Sequence, residues 1–191
     1  MGKTARGPVR YLWLLRHGKA ASDAPWGGSD RERPLTARGR RDAAALGQRI
    51  RNEQPVLGLT GVAKPDLTIC SAAVRTHQTA ELIVKEMGNR VPLDSYRSLY
   101  EADTEVVLQY VREIDEGVKS ALVVGHNPAM YQLVWELLGN TDEGGGARDR
   151  ALLEAHGFPT CSLAVLTLHV AAWEDTTHGC ANLAGVFKPP Y

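Results

Sequence analysis

Three short runs, Tyr11–Leu15, Leu67–Cys70 and Ala121–Val124, are apolar at successive positions rather than at alternate ones. A strand with this pattern must be covered on both faces, which is the situation of a parallel sheet between two layers of helices. The segments between the runs supply those helices. In 74–88, Ala80, Ile83, Val84 and Met87 fall at i, i+3, i+4 and i+7; Val107, Tyr110, Val111 and Ile114 repeat the spacing in 104–116. Met130, Leu133, Val134 and Leu137 do so after Pro128, with Asn127 as the expected N-cap and Gly139 just past the end. A fourth helix, 36–51, starts at Thr36 and buries Ala43, Leu46 and Ile50. Cys161–Val170 is long enough for a strand, and Ala181–Phe187 can pair beside it across the turn-rich Glu174–Gly179. The expected fold class is therefore α/β: a single three-layer α/β/α domain spanning 1–191, with a mixed, mainly parallel sheet. Residues 1–9 read as a flexible N-terminus and 139–150, with Gly144, Gly145 and Gly146, as a flexible loop. A second loop, 18–34, carries Pro25, Gly27, Gly28 and Pro34.

The chain's 191 residues suit one domain. Its 22 basic and 22 acidic side chains cancel, which argues against a dedicated nucleic-acid protein. The balance hides an asymmetry: residues 1–95 hold 16 Lys and Arg against 9 Asp and Glu, and the rest reverses the excess. That pattern fits an anionic ligand or two solvated faces equally well. No apolar run approaches the ~18 residues of a membrane span, and Arg16 cuts the first one short of the roughly 7–15 residues of a signal peptide. Cys70, Cys161 and Cys180 lack metal-ligand spacing and read as small hydrophobes in a reducing compartment. A cytoplasmic location is expected, with no membrane partner and no metal or nucleotide cofactor, since every motif for those is missing.

The chemistry-bearing residues gather at strand ends. Arg16, His17 and Gly18 follow the first run; Ser71 and, a turn later, Arg75 follow the second; Gly125, His126 and Asn127 follow the third. Ligands of open α/β sheets bind beyond the carboxyl ends of the strands. Two guanidinium forks and two helix N-termini suit phosphate oxygens, and a neutral imidazole can attack phosphorus.

These segments resemble the histidine phosphatase superfamily, which includes cofactor-dependent phosphoglycerate mutase. Leu14 to Ala20 looks like its Arg-His-Gly signature, Leu35-Thr36-Ala37-Arg38-Gly39 its "LT-x-x-G", and Ser71 to Ala80 its "S-x-x-x-R-x-x-Q-T-A". Val124 to Pro128 matches its second histidine motif. Within the family the chain is most similar to small SixA-type phosphohistidine phosphatases, through Leu99-Tyr100-Glu101-Ala102, Gly157-Phe158-Pro159-Thr160 and its compactness. The resemblance implies His17 as nucleophile, with Arg16, Arg75 and His126 around the phosphoryl group; Asn127, at a helix N-terminus, is a further phosphate-binding candidate. It implies Glu101 as the acid on the leaving group, against Asp103, which also reads as an N-cap of 104–116. Asp23 stands where mutases often have Asn, so it faces away from the pocket or meets a cation. Trp26 is a candidate for the pocket entrance.

The implied function is metal-independent phosphate hydrolysis through a phosphohistidine intermediate, on a phosphohistidine-bearing protein. The alternative substrate is a small phosphate ester or nucleotide. A third reading is a non-catalytic binding module using the seven arginines of 31–51, a run that otherwise reads as a solvated face, a docking surface for an acidic protein, or a steering field.

Overall fold

The computed structural model describes residues 9–53, 58–88, 90–139 and 145–191. Six strands form one sheet: β1 (Arg10–Arg16), β2 (Leu67–Ser71), β3 (Leu93–Tyr96), β4 (Ser120–Gly125), β5 (Leu163–Leu168) and β6 (Ala181–Phe187). Their order is β3-β2-β4-β1-β5-β6. The first four are mutually parallel, and β5 runs antiparallel to both β1 and β6. The sheet is thus mixed and mainly parallel.

The pleat of β1 explains the two-sided apolar pattern. Leu12 and Leu14 enter one core with α3 (Thr104–Arg112), α4 (Ala129–Leu138) and Leu153 of α5 (Gly145–His156). Trp13 and Leu15 enter the opposite core with α1 (Ala37–Glu53) and α2 (Val74–Glu86). Each face is dry because successive side chains of one strand point to opposite sides. Trp13 satisfies its one polar atom by donating Nε1–H to Ser120 Oγ at 3.0 Å. Register then sets the site: Arg16 lies opposite Gly125, and the His17 N–H donates to Gly125 O at 3.1 Å. The carboxyl ends of β1, β2 and β4 therefore share one edge.

Three expectations change. Helix α3 stops at Arg112 rather than near 116, because Asp115 takes the Gly117 N–H at 2.7 Å and starts a turn. Of the loop expected over 139–150, residues 145–150 are helical and belong to α5; 140–144 lie outside the described residues. The glycines read as a breaker, but tertiary contacts hold the helix. Asp149 accepts from the Leu183 N–H at 2.8 Å, and Arg150 donates to Gly139 O at 2.6 Å while lying over Trp135. Asn127 does not cap α4: Pro128 occupies that position, and the Asn127 amide turns to Phe158 O at 3.0 Å. Gly139 does end α4, with φ +66°. Strand β3 has no apolar run to mark it, since Asp94 and Ser95 interrupt the pattern.

The flexible N-terminus expected over 1–9 lies, apart from Val9, outside the described residues. Among the described residues no helix is long and apolar enough to cross a membrane. Cys70 and Cys161 are buried and Cys180 is half-buried, all as free thiols.

Candidate active site

The edge shared by β1, β2 and β4 brings His17, Arg16, Arg75 and His126 together. The imidazoles of His17 and His126 meet edge to face with centroids 5.1 Å apart. His17 Nδ1 lies 2.7 Å from Gly18 O. A carbonyl can only accept, so Nδ1 carries the proton and Nε2 keeps a free lone pair. Burial holds the His17 ring well below its ordinary value, at about 4; the Gly18 hydrogen bond opposes the shift, and the charges of Arg75, Arg16 and Arg33 reinforce it. His126 is pushed down to about 3, by burial first and then by His17 and Arg75. Both rings are neutral at physiological pH, the state in which an imidazole nitrogen keeps a lone pair to donate.

Each of these groups is fixed from behind. His126 Nε2 pairs with the buried Ser71 Oγ at 2.9 Å, a bond that holds the ring in its orientation. Arg16 Nη1 donates to Phe158 O at 2.9 Å, the same carbonyl that receives the Asn127 amide. Asn127 thereby joins the site as a neighbour of Arg16, with one amide hydrogen spent on the backbone. Burial lowers the pKa of Arg16, and Arg75 is 5% exposed. The Q-T segment after Arg75 acts as a strap: Gln78 Oε1 accepts the Leu35 N–H at 2.8 Å, and Thr79 Oγ1 accepts the Gly18 N–H at 3.0 Å.

Helix α1 reaches the site through glycine. A Cβ built on Gly39 would stand 2.2 Å from Lys19 O, so only glycine lets the helix lie on the backbone beside His17.

Three further residues complete the rim: Asp30, which no sequence signal marks, Arg33 of the arginine run 31–51, and Tyr100 of the Leu99–Ala102 segment. Asp30, in a short turn of loop 18–34, accepts at Oδ2 from Arg75 Nη2 at 3.0 Å and from the Tyr100 hydroxyl at 2.5 Å. Its Oδ1 accepts from Arg33 Nε at 2.6 Å. The Tyr100 hydroxyl first, and then Arg75 and Arg33, hold the Asp30 carboxyl down at about 2. The Tyr100 ring stands edge-on to His126 at 5.7 Å and lies 5.7 Å from the Arg75 guanidinium carbon. The sequence signal for Tyr100 is its place in the Leu99-Tyr100-Glu101-Ala102 segment, which points to Glu101 and not to the tyrosine.

The remaining candidates sit as follows. Glu101 is exposed and makes no hydrogen bond or ion pair among the described residues. Asp103 caps α3, accepting from the Val106 N–H at 3.0 Å, which commits its carboxylate to the helix. Asp23 is exposed and takes the Ser22 hydroxyl at 2.7 Å instead of a cation. Trp26, with φ +58°, is fully exposed and walls no cavity described. Of the seven arginines of 31–51, Arg33 enters the site, while Arg38 pairs with Asp42 and Arg49 with Glu53 along α1. A broad concavity of about 1060 Å³, between Arg40, α2 and β3, holds no histidine. Among the described residues no group of three or more His, Cys, Asp or Glu could hold a metal ion.

The family model of the histidine phosphatase superfamily (branch 1) matches residues 12–108. An uncharacterized protein of Mycobacterium tuberculosis is 31% identical over 175 residues, 92% of this chain and 99% of the relative. The phosphohistidine phosphatase SixA homolog of Haemophilus influenzae is 30% identical over 133 residues, 67% of this chain and 77% of the relative. A solved structure from Nakamurella multipartitia, provisionally named phosphohistidine phosphatase SixA, superposes with TM-score 0.77 at 29% identity. It covers 96% of this chain and 98% of the other.

Proposed function

The chain belongs to the histidine phosphatase superfamily, and from that premise we propose that it is a metal-independent phosphohydrolase that works through a phosphorylated His17. The observation that carries this reading is the state of His17: neutral, with Nδ1–H held by Gly18 O, and set among Arg16, Arg75 and His126. In the first step Nε2 attacks phosphorus and the bond from phosphorus to the leaving group breaks. The guanidinium groups and His126 take up the charge on the equatorial oxygens. In the second step water attacks phospho-His17, releasing hydrogenphosphate and restoring the neutral ring.

The favoured substrate class is a phosphohistidine-bearing protein. Its imidazole leaves readily once protonated, so it makes little demand on a fixed acid, and Glu101 is solvent-exposed with no partner among the described residues. The names of two relatives agree with that class. A small phosphate ester or nucleotide is the second reading; it would need Glu101 to protonate a poorer leaving group. A cytoplasmic setting fits either substrate.

The test pairs wild type with His17→Ala on p-nitrophenyl phosphate and on a histidine-phosphorylated carrier protein, each with and without EDTA. Loss of both activities in the variant, EDTA resistance and an acid-labile, base-stable phosphate on His17 are expected. Undiminished turnover by His17→Ala would sink the proposal. A higher kcat/KM on a phosphate monoester than on the phosphoprotein would move the substrate to the second reading.

A further inference from the structure

The contacts of Asp30 resemble those of a bound anion. Three donors from three separate segments converge on its carboxylate: Arg33 of loop 18–34, Arg75 of α2, and Tyr100 ahead of α3. Charge-assisted donors shared among acceptor oxygens are also how proteins hold a phosphoryl group. These donors border the histidine pair. Tyr100 is in ring contact with His126, His126 with His17, and the positive fields of Arg75, Arg16 and Arg33 all act on His17. We propose that Asp30 is an internal ligand of the phosphoryl site, and that Arg33 and Tyr100 join Arg75 in binding the phosphoryl group once the Asp30 side chain gives way.

The inference rests on the pocket's being a phosphoryl site, as proposed above. Anchoring decides which partner moves. The Arg75 side chain is 6% exposed on a 13-residue helix, whereas that of Asp30 is 50% exposed in a three-residue turn. The loop need not open for the exchange, because Arg75 Nη1 also donates to the Asp30 backbone carbonyl at 2.8 Å. Rotation of the carboxylate toward solvent frees Arg75 Nη2, Arg33 Nε and the Tyr100 hydroxyl together. A doubly charged phosphoryl group gains more from these donors than a singly charged carboxylate does. In the free protein Asp30 keeps the two close cations Arg33 and Arg75 compatible, and every incoming anion is weakened by the fraction of molecules in which Asp30 occupies the donors.

Isothermal titration with inorganic phosphate tests this on the full chain, alongside KM for p-nitrophenyl phosphate. Asp30→Asn should bind phosphate roughly three- to tenfold more tightly and lower KM to match. Asp30→Ser, with a smaller side chain, should behave alike and guards against a local folding artefact. In the Asp30→Asn background, Arg33→Met and Tyr100→Phe should each weaken phosphate binding severalfold. Unchanged or weaker phosphate binding by both Asp30 variants would show that Asp30 serves only to hold Arg75, and would overturn the proposal. So would indifference of phosphate affinity to both Arg33→Met and Tyr100→Phe. Absence of phosphate binding and of turnover in wild type would instead overturn the phosphoryl-site reading, and this inference with it.

Discussion

The backbone N–H of Cys161 donates to the carbonyl oxygen of His17 at 2.9 Å, sharing its hydrogen with Arg16 O at 3.1 Å. Cys161 stands at φ +65°, and its own carbonyl accepts the Tyr191 hydroxyl. The turn before β5 thus braces the segment that carries Arg16 and His17, and Tyr191 braces the turn.

Removing that hydroxyl leaves the Cys161 carbonyl short of a partner. Tyr191→Phe should cost about 1–3 kcal/mol. That corresponds to a fall of a few degrees in Tm for a domain of this size, at roughly 2–4 °C per kcal/mol. Thermal denaturation checks it; an unchanged Tm would show that the bond contributes nothing net.

Packing of α1 against the site gives a sharper test. Gly39→Ala drives a methyl into the Lys19 carbonyl, a backbone atom that cannot rotate away. We expect a loss of roughly 1–3 kcal/mol, typical of an overpacked contact. Turnover should fall as well, because Lys19 is two residues from His17. Full stability in denaturant titration would count against this contact.

The pH dependence follows from the two histidines. With His17 at about 4 and His126 at about 3, activity should be level across neutrality and decline only near pH 4, where His17 loses its lone pair. Both folded values lie below the ordinary 6.5, so the unfolded chain takes up protons first. Stability from these groups is complete above about 6.5 and drains away as pH falls toward 4. Asp30, held at about 2 against an ordinary 3.8, adds its own loss as pH falls from 3.8 to about 2. An acid limb of kcat/KM near 6.5 would contradict the buried, neutral pair.

Glu101 and Asp103 should separate cleanly. Glu101→Gln is expected to slow an alkyl phosphate by on the order of 10²-fold and a phosphohistidine protein by less than about tenfold. Asp103→Ala should cost about 1 kcal/mol through the lost cap of α3, with both turnovers near wild type. Equal effects of the two substitutions on chemistry would remove Glu101 from the mechanism.

Local pattern carried much of this into view. Two-sided apolar runs predicted the strands that bear Arg16, Ser71 and Gly125, and helical spacing located α1, α2, α3 and α4. The pattern failed where tertiary contacts outweighed propensity. Strand β3 holds its edge position with Asp94 and Ser95 exposed, and α5 forms behind glycines because Asp149 and Arg150 are tied to Leu183 and Gly139. Asn127 looked like a cap by type and position, yet Phe158 O, 31 residues away, claimed its amide.

The sequence by itself determined the strand ends at which His17, Arg75 and His126 stand, because periodicity and strand-end position are local properties of the chain. Only the tertiary structure decided which carboxylate faces Arg75: Asp30, and neither Asp23 nor Glu101. It also made Tyr100 and Arg33 neighbours of the histidine pair. Those relationships join segments up to 70 residues apart. They depend on where a loop returns over the sheet edge, which packing fixes and no spacing along the chain records.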